Sequence, residues 1–308
     1  METKRKITGN KIFGAAALAI IAIAALVLYF ALADNPLEGL ENTLGRSNFA
    51  AQDSLEITFI DVGQGDSILV ICEGNSMLVD SGEKGNAQRI ANVLNSKGVR
   101  HLDYAVATHP HSDHIGSMEA VINEFGADNV IMPSFGEEVV KENPFYEGFL
   151  DSVLESKAKI IKSEPGVSFR LGNASVNILG PVNTAHVDLN NACVVLKIVY
   201  GERSFLLTGD AAAEEESEII ASGANLKCDL LKVGHHGASG SSSPEFLALA
   251  APEYCVISCG EGNDYGHPHD ATIRRLYEYT HKIYRTDICG TVTAACDGKT
   301  IEMSYSRR

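Results

Sequence analysis

The sequence has no tryptophan, no C-x-x-C pair and no repeat at solenoid length, and it is short of positive charge. The missing tryptophan decides little. The missing C-x-x-C excludes a ribbon-type zinc site, although seven cysteines are present, at 72, 193, 228, 255, 259, 289 and 296. Most of these lie in apolar runs and read as small buried hydrophobes. Cys289 and Cys296 flank a glycine-containing segment and are candidates to pair; the odd count leaves at least one thiol free. Without a repeat, a solenoid is excluded. The formal net charge is -15, and Lys4, Arg5, Lys6 and Lys11 against Glu2 make residues 1–33 +3, so the remainder carries -18. Such a field repels polyanions at long range and argues against tight nucleic-acid binding, although bound divalent ions offset a few charges locally.

The 308 residues, 45% hydrophobic and 21% charged, suffice for one sizeable α/β domain or two small ones. Residues 12–33 are uncharged and apolar throughout and follow the basic cluster. At about 1.5 Å per residue they reach about 33 Å, enough to cross a bilayer. Positive charge on the near side predicts a single-pass membrane protein with its N-terminus inside and its C-terminal domain extracellular. Ala31-Leu32-Ala33 also fits a signal-peptide cleavage site, so secretion after cleavage behind Ala33 is the rival expectation. Residues 34–53 lack periodicity and read as a linker. The globular domain is expected over 54–308.

Within that domain, strands are expected at 55–60, 68–71 and 77–79, joined by glycine-rich turns. Further strands are expected at 103–107, 129–132, 167–171, 175–179, 192–198, 204–208 and 254–258. Helices are expected at 86–97, 115–125, 144–157, 211–221, 244–250 and 273–279. Asp297-Gly298 inside 289–305 predicts a hairpin with a type I′ turn.

The stretch Thr108-His109-Pro110-His111-Ser112-Asp113-His114 sits between an apolar strand and a helix, where α/β sheets place their chemistry. Isolated loop histidines ordinarily cap helices or face water. Three imidazoles and a carboxylate within six residues are instead a metal pattern. A tight turn can point His109 and His111 to one side and Asp113 and His114 to the other, so that one segment serves two ions. Asp210, His235 and His267 share the same address, each following an apolar strand. His235 and His236 lie between Gly234 and Gly237 and are followed by Ser239, Ser241, Ser242 and Ser243. Imidazoles that titrate near neutrality, close backbone approach and hydroxyl donors suit phosphodiester hydrolysis; the serine run alone also fits a flexible loop.

The H-x-H-x-D-H spacing resembles the metallo-β-lactamase superfamily. Asp61-Val-Gly-Gln-Gly-Asp66-Ser, Val79-Asp80-Ser-Gly82, Thr208-Gly-Asp210, Leu231-Lys-Val-Gly-His-His-Gly237 and Tyr265-Gly-His-Pro268 resemble, in order, the hydrolase domain of ComEC/Rec2-type DNA-uptake proteins. The resemblance covers nearly all of 54–305. It implies an αββα sandwich, which the apolar run 12–33 would precede as one transmembrane helix, and two divalent ions, Zn²⁺ or Mn²⁺. It implies His109 and His111 on the first ion, Asp113 and His114 on the second, and Asp210 between them. His267 would be the last ligand of the second ion, with His235 competing for that role. His235 or His236 would act as the acid, and Asp61 and Asp80 would stand behind the ligands. Where the superfamily usually has a third histidine on the first ion, this chain has Asn190-Asn191. Asn191 is the expected ligand and His186 a substitute; a harder amide oxygen makes the first site weaker for Zn²⁺ and relatively tolerant of Mn²⁺. The function implied is an exported, membrane-anchored phosphodiesterase or nuclease, possible partners being a phosphodiester or DNA. A phosphorylcholine esterase-like cell-wall enzyme and a non-catalytic binding domain are the alternatives.

Overall fold

The computed structural model describes residues 54–307. The expected anchor and linker, residues 12–33 and 34–53, lie outside the described residues. Among those described, no helix is long and apolar enough to cross a membrane.

Among the described residues, fifteen strands form two sheets. The first contains β1 (Leu55–Phe59), β2 (Ile68–Cys72), β3 (Asn75–Val79), β4 (Leu102–Val106), β5 (Ala127–Met132) and β6 (Lys159–Lys162), together with β14 (Val292–Cys296) and β15 (Ile301–Tyr305). Its order is β15-β14-β1-β2-β3-β4-β5-β6. The second contains β7 (Ser168–Leu171), β8 (Ala174–Gly180), β9 (Val195–Tyr200), β10 (Arg203–Leu207), β11 (Leu230–Lys232), β12 (Tyr254–Ile257) and β13 (Ile283–Arg285). Its order is β13-β12-β11-β10-β9-β8-β7. Each sheet has an antiparallel part and a parallel part: β3-β4-β5-β6 in the first and β10-β11-β12-β13 in the second. Parallel pairing brings the carboxyl ends of successive strands to one edge, and this puts the expected site residues together.

Alternation along the strands assigns each side chain to a layer. Leu55, Ile57, Phe59, Val70, Val79 and Val106 meet Leu196, Ile198, Phe205 and Val256 between the sheets. The opposite parity, Leu69, Leu78 and Ala105, packs under α1 (Ala87–Ser96), α3 (Met118–Phe125) and α5 (Pro144–Ser156). On the far side Leu206, Leu231 and Ile257 pack under α6 (Ala213–Ala221), α7 (Pro244–Ala250) and α8 (Asp270–Tyr277). The result is a helix–sheet–sheet–helix sandwich, as the resemblance implies.

Three expectations change. The helix expected at 115–125 is two elements, α2 (Ser112–Ile115) and α3, so the metal loop itself enters a helical turn. Additional short helices occupy α4 (Glu137–Glu142) and α9 (Thr286–Cys289). The final hairpin pairs Cys296 with Ile301, leaving a four-residue loop instead of a two-residue type I′ turn. Asp297 Oδ1 sets that loop by accepting from Lys299 N and Thr300 N. Cys289 and Cys296 do not pair; all seven thiols are free.

Candidate metal centre

The loop after β4 is oriented by one buried carboxylate. Asp80, at the end of β3 with φ +58°, accepts from Thr108 N (2.8 Å), Thr108 Oγ1 (2.7 Å) and His114 Nδ1 (2.7 Å). That uses the Nδ1 proton and leaves His114 Nε2 as the free lone pair, the arrangement by which outer carboxylates prepare a ligating histidine. Asn143 caps α5 through its Oδ1, and its Nδ2 donates to Pro110 O, so the same side chain props the loop from outside. From below, Asp66 N donates to Asp113 O at 3.1 Å. The approach needs Gly65 beside it: a Cβ there would lie 2.1 Å from Asp113 O.

The second sheet supplies its residues singly. Asp210 follows β10, and Cys193 Sγ receives its N–H at 3.2 Å. His235 and His236 follow β11, both left-handed at φ +50° and +53°. Consecutive non-glycine residues in this region cost on the order of 1–3 kcal/mol each and are held only where the surroundings require them. His236 Nδ1 donates to Ser258 O at 2.9 Å, which turns Nε2 toward Asp113 Oδ2, 3.2 Å away.

Asp210 stands between two sets of imidazoles. Its Oδ1 lies 3.2 Å from His114 Nε2 and 3.4 Å from His236 Nε2. Its Oδ2 lies 3.6 Å from His235 Nε2 and 4.0 Å from His109 Nε2. Asp113 Oδ2 is 3.2 Å from His236 Nε2 and 3.9 Å from His114 Nε2. His109 Nε2 and His111 Nδ1 converge to 2.9 Å. The donor atoms of Asp113, His114, Asp210 and His236 lie close enough together to hold one ion. Two of them, His114 Nε2 and Asp210 Oδ1, are buried with no hydrogen-bond partner. Orphaned lone pairs on nitrogen and carboxylate oxygen are what a cation satisfies, so the residues fit a metal.

Charge is correspondingly uneven. Burial opposes a proton on His114, but Asp210, Asp113 and Asp80 outweigh it and hold the imidazole well above its ordinary range. His236 is raised in the same way, with Asp210 and Asp113 overcoming burial. Burial pushes Asp210 up, and His114 and His236 more than reverse it, holding the carboxyl well below the usual range. His109 is lowered by burial and by His114. Burial, then His236 and His235, push His267 down to about 4.

The remaining expected residues are placed as follows. His267 lines the cleft but falls outside the four-residue cluster, where His236 stands. Asn191 faces away: its Oδ1 accepts from Glu215 N and its Nδ2 donates to Glu214. Asn190 lines the cleft, with Oδ1 buried and unpartnered. His186 pairs with Glu218 and Glu214. Asp61 binds Arg307 at 2.6 Å and accepts from Gly63 N. The carboxylate near the centre is instead Asp66, 1% exposed, 2.8 Å from the wholly buried Lys232 and 3.6 Å from His236 Nδ1. Ser241 and Ser242 are buried, and Arg275 binds both of their carbonyls while Glu216 accepts from Ser242 N and Ser243 N. That segment is neither a loose loop nor a row of hydroxyls facing a ligand.

The cleft above the cluster has a volume of about 350 Å³ and reaches from Gln64 and His111 across Asp210 to Tyr265. Two packed mixed sheets with a His/Asp cluster at the carboxyl ends of their parallel strands define a metal-dependent hydrolase fold, with clusters suited to a binuclear site. The pattern for the metallo-beta-lactamase superfamily matches residues 60–261, and the chain belongs to that superfamily. More particularly, it is related to ComEC-type competence proteins. ComE operon protein 3 of Bacillus subtilis is 31% identical over 255 residues, covering 77% of this chain and 32% of the relative. Competence protein ComA of Neisseria gonorrhoeae is 33% identical over 249 residues, covering 80% and 33%. The chain thus spans about a third of the length of these curated relatives. Among solved structures, the metallo-beta-lactamase fold protein YhfI from Bacillus subtilis is similar with a TM-score of 0.52 at 15% identity, over 75% of this chain and 95% of that one, a likeness of fold.

Proposed function

We propose that the chain is a binuclear metal-dependent phosphodiesterase, exported and held at the membrane by residues 12–33. The observation that carries the reading is Asp210, with Oδ1 toward His114 and His236 and Oδ2 toward His109 and His235. In this reading His109, His111 and Asn190 would hold one cation, Asp113, His114 and His236 would hold the other, and Asp210 would be shared. The ligand roles sketched for Asn191 and His267 pass to Asn190 and His236. An amide oxygen among the ligands suits Mn²⁺ as well as Zn²⁺. Such ions supply Lewis-acid activation of water and of a phosphoryl oxygen.

The chain's own residues do the rest. Asp80 and Ser258 fix which nitrogen His114 and His236 present. His235, with a side chain 30% exposed at the cleft, is the imidazole placed to protonate a departing oxygen at Nε2. Burial lowers its pKa, with Asp210 opposing; the negative charge of a bound phosphodiester would favour the protonated form. His267, pushed down to about 4 by burial and by His236 and His235, is neutral at pH 7. One relative is named a competence protein, which brings DNA forward as a substrate; the relatives' greater length and the acidic body of this chain keep it a proposal.

The test is hydrolysis by the purified full chain, loaded with Mn²⁺ or Zn²⁺, of a simple phosphodiester, a phosphorylcholine ester, a lactone and a β-lactam. Cleavage of the phosphodiester is expected. Hydrolysis of the lactone or β-lactam alone overturns the reading; full metal loading with no hydrolysis favours a binding domain.

A further inference from the structure

We infer that Tyr265 and His267 form a shelf on which a nucleobase stacks beside the scissile phosphate; this rests on the phosphodiesterase reading and narrows its substrate to nucleotides with an unpaired base. Tyr265 is 66% exposed, although it lines the cleft that holds Asp113 and Asp210. Its ring lies 5.6 Å from that of His267 at an interplanar angle of 21°. His267 lies 6.3 Å from His236 at 29°. Near-parallel rings therefore climb from the metal cluster to the surface and end on an open tyrosine face.

The exposure is built into the loop. Asn263 Nδ2 donates to Gly260 O (2.9 Å) and His267 O (2.6 Å), while its Oδ1 accepts from His267 N (2.9 Å). Gly260 N donates to Gln64 Oε1, tying the loop to the opposite sheet, and a His269 ring nitrogen lies 3.2 Å from Tyr265 O. A side chain on a backbone fixed at both ends is presented already ordered, so stacking a ligand on it costs little further entropy.

The chemistry of the cleft selects the occupant. Among the described residues lining it, Tyr265 is the one aromatic ring besides the histidines, and none is lysine or arginine. Affinity for a nucleic acid therefore does not come from basic side chains, and the body of the chain carries -18. Stacking is independent of charge and indifferent to base identity. The other group that seats on a tyrosine face, a quaternary ammonium, would be brought beside a centre built to hold cations and would be repelled there.

The experiment compares oligothymidylate with an abasic oligomer of equal length on the metal-loaded full chain. Tyr265→Ala is expected to raise KM for oligothymidylate about tenfold, with kcat and metal content unchanged, and to leave the abasic oligomer alone. Tyr265→Phe should restore the parent KM. An equal change on both substrates, or none on either, overturns the shelf. So does a change confined to a phosphorylcholine ester, which would assign the shelf to an ammonium group. Binding is read separately with a 2-aminopurine oligonucleotide, whose fluorescence falls on stacking. If the wild-type chain cleaves no oligonucleotide, the phosphodiesterase reading fails while quenching still judges the shelf: loss in Tyr265→Ala supports it, and equal quenching in both proteins overturns it.

Discussion

The two edges that face each other across the cleft reach the same chemistry by different routes. The first sheet supplies His109, His111, Asp113 and His114 from one turn, with His109 and His114 oriented by Asp80 and Thr108, His111 meeting His109, and the Asp113 carbonyl held by Asp66 N. The second supplies Asn190, Asp210 and His236 from three separate loops. These are held by the left-handed backbone at 235–236, the Ser258 carbonyl, and Glu215, whose Oε2 accepts from Cys193 N. The first edge is specified locally and the second by tertiary packing. Damage at the first should therefore stay chemical, whereas damage at the second should also appear in stability.

The largest effect should come from the residue that joins the edges. Asp210→Ala is expected to lower phosphodiester hydrolysis by about 10³-fold or more and to reduce bound metal from both sites, read by elemental analysis beside the assay. A protein that keeps two ions and normal activity would separate the edges and break the comparison. Next is Lys232→Met, on the second edge. It strands Asp66, buried and 3.6 Å from His236, and should cost roughly 3–5 kcal/mol of stability, measured by denaturant unfolding of the metal-free chain. On the first edge, Asp80→Asn should weaken metal binding about 10–100-fold in a competition with a chelator. His235→Ala should leave metal content unchanged and slow hydrolysis most for poor leaving groups; equal slowing across leaving groups would remove it from the role of acid.

The smallest effect is a pH dependence. His114 and His236 have folded pKa values raised by Asp210 and neighbouring carboxylates against burial. Their contribution to the metal-free chain is complete below about pH 6.5 and is lost as pH rises through the raised values. Asp113 and Asp210 are depressed by His114 and His236 against burial, so their contribution is present above about pH 4 and is lost as pH falls. His109, His235 and His267, lowered chiefly by burial, lose their contribution as pH falls below about 6.5. The metal-free chain should therefore have its highest Tm at about pH 6.5, and metal affinity should rise as His114 and His236 give up their protons. A Tm that climbs steadily through neutral pH without metal would contradict this.

The same contrast explains what was legible in the sequence. The 109–114 turn is a contiguous pattern, and Asp80 stands at a recognisable strand end. Helix α7 was readable to its ends because Pro244 opens it after Ser243, whose Oγ accepts from Phe246 N. The choice between the neighbours Asn190 and Asn191, or His235 and His236, depends on which way a short turn rotates, and a single residue of rotation reverses it; His267 comes from a separate loop after β12. Asp66 lay in view within Asp61-Val-Gly-Gln-Gly-Asp66. Only its approach to Lys232 from the other sheet distinguishes it from Asp61, which Arg307 holds near the surface. The serines at 239–243 read from sequence as hydroxyl donors or a loop, whereas Arg275 and Glu216 fold Ser241 and Ser242 inward, a contact no local pattern reveals.

The central claim is that one carboxylate links two ions held by unlike edges. Anomalous diffraction from crystals of the metal-loaded full chain tests it most directly. The account predicts two peaks with one Asp210 oxygen on each, Asn190 and His109 toward the first, and His114 and His236 toward the second. A single peak away from Asp210, or ions held by Asn191 or His267 in place of Asn190 and His236, would contradict it.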